Sequence, residues 1–203
     1  MHNGISNINS FQCVIASTTS ARFNTNGAGT PGGALPTTIS VGVWTHLAFT
    51  CTSAKAVKLY KNGVLASSTT MASAPPTVSR NNVWIAKSTF SDGDALYKGA
   101  VSEVRYWSVT RSAAQILASY NTEIAPTTTG LVFYLNYSYI LAATSSSVRE
   151  SCQSRSLSLI NSPAAAADSA LLTVFTPNSS LFPSIQTAIS IVPGAITNVA
   201  IYG

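Results

Sequence analysis

The sequence predicts an all-β protein, a sandwich or barrel with one short helix and an extended C-terminal tail. Three observations predict it. Only 8% of the 203 residues are charged, against roughly 25% in an ordinary soluble domain. Serine and threonine contribute 30 and 23 residues, so the polar surface is built from hydroxyls, whereas long helices dress their outer faces with Glu, Lys and Arg. Short runs of alternating apolar residues, bounded by Gly, Pro and Asn, carry the strand period. Hydrophobic residues make up 46% of the chain, which excludes the polar, highly charged composition of disordered chains.

The elements follow in order. Residues 11–16 (FQCVIA) form a short strand, and residues 24–38, rich in Gly, Pro and Asn, form a loop or irregular edge. Residues 43–51 alternate, with Trp44, His46 and Ala48 on one face and Thr45, Leu47 and Phe49 on the other. Both faces are largely apolar, as in a central strand. Residues 56–61 and 64–68 flank Asn62-Gly63, the pair that supplies the two positive-φ residues of a hairpin turn. Met71 to Pro76 is a loop, residues 82–87 a strand, and Ser91 to Asp94 a turn. Residues 99–107 alternate as one strand, with Val101, Glu103 and Arg105 opposing Ser102, Val104 and Tyr106. Ser112 and Gln115 have capping-box spacing, and Ala113, Ile116, Leu117 and Tyr120 make the apolar stripe of a short helix. Residues 131–137 and 156–160 complete the strands.

The cationic residues are scattered, so the net charge of +5 reflects a shortage of acids. Nucleic-acid binding needs cations clustered on one face and is not expected. Cys13, Cys51 and Cys152 fit no zinc spacing. They are either three inert thiols or one pair plus a thiol, with Cys13–Cys51 the favoured pair because both lie in strand-like runs. Residues 1–10 lack the apolar stretch of a secretory signal, and no apolar run reaches the roughly 18 residues of a membrane span. Asn136-Tyr-Ser and Asn178-Ser-Ser are glycosylation sequons, of consequence only in a secretory pathway. Residues 169–203 carry no charge and many Ile, Val and Phe, so this tail is expected to dock on its own domain or on a neighbour.

Three segments in order resemble the laminin-G-like group of concanavalin A-like lectin/glucanase β-sandwiches. The first runs from Trp44-Thr-His46 through Leu59-Tyr60-Lys-Asn62-Gly63. The second is Lys98-Gly99-Ala-Val-Ser-Glu103-Val-Arg105-Tyr-Trp107, ending at Arg111 and Ile116. The third is Gly130-Leu-Val-Phe-Tyr134-Leu. The resemblance implies a jelly-roll of two antiparallel sheets: residues 1–39 an abbreviated first strand and loop region, 40–168 the laminin-G-like core, 169–203 the tail. Ser102 stands where the family usually has Asp. The early strands are short enough that an upstream segment, a neighbouring chain or the tail is expected to complete them.

Glycoside hydrolases share this sandwich, and their chemistry needs a pair of suitably spaced carboxyls. The six acids, Asp92, Asp94, Glu103, Glu123, Glu150 and Asp168, show no such arrangement, and no hydrolase or metalloprotease motif is present. The chain is therefore expected not to be an enzyme. Trp44, His46, Asn62, Gly63, Glu103, Arg105 and Trp107 are expected to be structural. Calcium takes six to eight oxygens, and Asp92 and Asp94 are its candidate ligands; no other cofactor is expected. Aromatic rings bind sugars by stacking, which makes Trp84 and Tyr97, with Asn81 and Asn82, the candidate ligand contacts.

The function expected is that of a non-catalytic binding and assembly module. It is a laminin-G-like subunit of an extracellular, cell-surface or virion-type assembly, with protein neighbours and glycans as partners. The alternative is a freestanding lectin or adhesion domain of a larger secreted protein.

Overall fold

A computed structural model describes residues 10–26, 34–72, 85, 99–136, 147–149, 151–154, 156–158, 188–191 and 199–202. The strands are β1 (Ser10–Ser17), β2 (Ser20–Asn26), β3 (Ala34–Pro36), β4 (Thr45–Cys51), β5 (Ala56–Lys61), β6 (Val64–Thr70), β7 (Gly99–Ser102), β8 (Val104–Trp107), β9 (Leu131–Leu135), β10 (Ser147–Arg149), β11 (Ser156–Ser158), β12 (Ala188–Ile191) and β13 (Val199–Tyr202). The helix α1 spans Ala113–Ser119. The fold is the expected all-β one: every pairing whose register is described is antiparallel. Among the described residues no helix is long and apolar enough to cross a membrane.

The chain divides into two compact units, Met1–Gly99 with Ser190–Gly203, and Ala100–Ile189. In the first unit one sheet has the order β13-β1-β2-β3. Here the C-terminal β13 pairs with β1, Gln12 opposite Tyr202 and Ile15 opposite Val199, so the uncharged tail supplies a strand to its own chain. In a second sheet β6, β5 and β4 are neighbours in that order. Leu59 lies opposite Phe49 and Val57 opposite Cys51, and side chains two apart share a face. The Phe23 ring of the first sheet meets the Phe49 ring of the second at 6.5 Å between centroids. Ile15, Ala21, Leu35, Ile39, Leu47, Val57 and Leu59 are all buried. Each large one contributes about 1.5–3 kcal/mol to stability.

The β5–β6 hairpin forms as its turn chemistry dictates, with Asn62 at φ +49° and Gly63 at +81°. The turn is also stitched to β4. The His46 backbone N–H donates to Asn62 Oδ1 at 2.9 Å, and the Asn62 N–H donates to the His46 carbonyl at 3.0 Å. Asn62 thereby fixes a third strand as well as the turn. A bulge between Leu59 and Tyr60 shifts the register of β6, whose exposed residues are Val64, Leu65, Ala66, Ser68 and Thr70.

Three expectations need correction. Part of 24–38, expected as a loop or irregular edge, is strand: β2 runs to Asn26 and β3, at the edge of its sheet, spans Ala34–Pro36. β2 follows a Thr18-Thr19 turn that lacks Gly and Pro, and its buried Ala21 and Phe23 alternate with exposed Arg22. Residues 99–107 are two strands, because Glu103 sits between β7 and β8 at φ +56°, in the left-handed region that breaks the pleat. On α1, Ile116 is buried while Ala113 and Leu117 are exposed and Tyr120 is half-buried, so the expected four-residue stripe is narrower. One helical turn of contact is what so short a helix needs. The expected strand at 82–87 lies outside the described residues except for Ile85, and the turn at Ser91 to Asp94 lies wholly outside them.

Candidate functional site

In the second unit the polar chemistry converges on Glu103. Its side chain is buried, and Oε2 accepts from the Tyr134 hydroxyl at 2.5 Å and from Arg105 Nη2 at 3.1 Å. β8 and β9 bring these groups together, with Arg105 opposite Tyr134 in the ladder. The Arg105 guanidinium lies 5.2 Å from the Tyr134 ring centroid. It also donates to two backbone carbonyls, Nη1 to Ser119 at 2.9 Å and Nη2 to Thr122 at 2.7 Å. These carbonyls lie at and just past the C-terminal end of α1, where unpaired carbonyls and the helix dipole favour a cation. One guanidinium therefore ties strand, helix end and buried carboxylate together. Burial, then the Glu103 charge and its hydrogen bond, push the Tyr134 phenol well above the ordinary tyrosine range.

The start of α1 is fixed as its sequence suggests. The Gln115 N–H donates to Ser112 Oγ at 3.2 Å and the Ser112 N–H donates to Gln115 Oε1 at 2.9 Å, the reciprocal capping box. Trp107 is half-buried, with the Arg111 guanidinium 4.2 Å from its ring centroid. Gly130, at φ +84°, is packed so that an added Cβ would lie 2.6 Å from Val109 Cγ2. Buried Asn136 donates from Nδ2 to Glu123 Oε1 at 3.1 Å. The Asn136 amide of the first sequon is thus held inside the fold rather than presented at the surface.

Glu103, Arg105 and Trp107 thus fall in this unit. Trp44, His46, Asn62 and Gly63 belong to the β4–β5 region of the first unit: Trp44 is half-buried, His46 buried and Asn62-Gly63 in the turn. The candidate ligand contacts Asn81, Asn82, Trp84 and Tyr97 and the candidate calcium ligands Asp92 and Asp94 lie outside the described residues. Among the described residues no group of three or more His, Cys, Asp or Glu is placed to hold a metal. Sequence reasoning did not single out Tyr134, 31 residues from Glu103, as its partner. The alternation of β9, buried on both faces, is the signal that its hydroxyl needs an internal acceptor.

Chemically, the Glu103 cluster stabilises a charge rather than exposing one. The two carboxylates among the described residues, Glu103 and Glu123, are both held by donors of the fold. The exposed surface carries instead Val41, Val43, Val64, Leu65, Tyr106, Val109 and Leu117. A family model described as the concanavalin A-like lectin/glucanases superfamily, of laminin-G type, matches residues 2–117. The match contains the Trp44 and Glu103 segments, and the Gly130–Leu135 strand lies beyond it. No curated protein and no solved structure matches the chain.

Proposed function

For a chain that belongs to the laminin-G-like group of the concanavalin A-like lectin/glucanase superfamily, we propose the role of a non-catalytic recognition and assembly module. It works as a subunit of an extracellular, cell-surface or virion-type assembly, with protein neighbours and glycans as partners. The observation that carries this proposal is the use of the described carboxylates. Glu103 accepts from Arg105 and Tyr134, and Glu123 accepts from Asn136. Glycoside hydrolysis needs one carboxyl as proton donor and a second as base or nucleophile, both facing the sugar. A carboxylate saturated by internal donors is suited to holding a fold. Hydroxyl-rich strands and exposed apolar side chains suit contact with sugar rings and protein neighbours.

The test combines sedimentation velocity with a glycan array followed by product analysis on the bound sugars. The proposal expects oligomers and retention of intact glycans. Release of shortened sugars would replace it with a hydrolase, and a sharp monomer bound to no glycan would remove both parts.

A further inference from the structure

Cys13 and Cys51 occupy facing positions in the two sheets of the first unit. Cys13 on β1 lies directly opposite Phe23 on β2, so the two side chains share a face. Cys51 on β4 lies two residues beyond Phe49 and directly opposite Val57, and strand alternation puts these three on one face as well. The Phe23 and Phe49 rings meet at 6.5 Å, which presses those two faces against each other. The cysteines therefore flank the same inter-sheet contact, one on each side. The Cys51 thiol is near enough to add to the upward push that burial gives the Cys13 thiol. No disulfide joins them; both are thiols on residues of intermediate exposure, the Cys13 thiol itself being buried.

We propose that Cys13 and Cys51 form an inter-sheet disulfide when the protein meets an oxidising disulfide pool. A disulfide needs Cα atoms roughly 4.4–6.8 Å apart, closer than the roughly 10 Å between stacked sheets. Cys51 is the last residue of β4, and the Thr52 N–H bond to the Ala56 carbonyl at 3.0 Å carries the hairpin one residue further, so closing the gap requires the two sheet ends to draw together. The Cys51 S–H now donates to the Thr52 carbonyl at 3.6 Å, a weak bond readily given up. With glutathione disulfide as oxidant, one protein thiolate attacks it and releases one glutathione, leaving a mixed disulfide. The second thiolate attacks the protein sulfur of that mixed disulfide and releases the second glutathione. Two protein thiols are oxidised, one glutathione disulfide is reduced to two glutathiones, and the two protons pass to the released thiols. Cys152 belongs to the other unit and has no part in the reaction.

The test incubates the full chain with glutathione disulfide, then counts thiols after denaturation and maps cross-linked peptides by mass. Titratable thiols should fall from three to the single Cys152. The intact mass should drop by two hydrogens, and the peptide containing Cys13 should be joined to that containing Cys51. The melting temperature should rise by on the order of 10 °C and return on reduction, because the bond closes a long loop in the unfolded chain. Cys152→Ser should keep the cross-link and Cys51→Ser should lose it. A bond to Cys152, a stable glutathione adduct in place of the cross-link, or three thiols persisting in the folded chain would each overturn the proposal; peptide mapping of the wild-type chain decides it even if a variant does not fold.

Discussion

The two units solve the same packing problem with different chemistry. In the first, Ile15, Leu35, Val57 and Leu59 are buried and the sheets meet through Phe23 and Phe49. In the second, β8, β9 and α1 are drawn together by a buried carboxylate, a guanidinium and a phenol. An apolar contact tolerates small losses, because each removed methylene costs a fraction of the total. A buried ion pair does not, because removing one partner strands the other. The difference teaches that the most chemical-looking residues of this chain are the ones its fold can least spare.

The comparison is broken most severely at Glu103. Glu103→Ala leaves the Arg105 charge and the Tyr134 hydroxyl without their shared acceptor, and about 3–5 kcal/mol of stability should be lost, measured by urea unfolding. Leu59→Ala, a cavity in the apolar unit, should cost less, about 2 kcal/mol; a loss as large as that of Glu103→Ala would erase the contrast.

Tyr134 sharpens the comparison through pH. Its folded-state pKa is raised, so the folded chain holds this proton more tightly than the unfolded one. The corresponding stability is fully present below the ordinary tyrosine pKa of about 10 and is lost as pH rises from there through the folded value. The urea midpoint should fall above about pH 10 in the wild-type chain. Tyr134→Phe should cost about 2 kcal/mol at neutral pH and flatten that alkaline fall. The smallest effect is expected at Ser112. Ser112→Ala removes the cap of α1 and should cost about 1 kcal/mol, seen as a small shift in the unfolding midpoint.

Local features were legible in the sequence. Asn62-Gly63 declared its hairpin and Ser112 with Gln115 declared the helix start, because each is a short-range device whose partners lie within a few residues. The alternation of 43–51 announced a strand buried on both faces. Long-range features were not legible. Nothing near Glu103 announces a positive φ, since what holds it there is a phenol 31 residues on and a guanidinium that also reaches the end of α1. β2 escaped because the Thr18-Thr19 turn before it carries no Gly or Pro. The pairing of β13 with β1 joins opposite ends of the chain; the tail was one of three segments expected to complete the early strands, and no local pattern fixed which one or in what register. Of the candidate site, Glu103 and Arg105 were expected to be structural, while the break in the strand at Glu103 and the third member, Tyr134, were not legible.

The central claim is that Glu103 acts as an internal tie of its own unit. Hydrogen exchange on Glu103→Gln, followed peptide by peptide, tests it most directly. The account predicts faster exchange in β8, α1 and β9, with β1, β4 and β5 keeping their protection. Unchanged exchange in β8, α1 and β9, coupled with loss of glycan binding, would contradict it and assign Glu103 to a ligand instead.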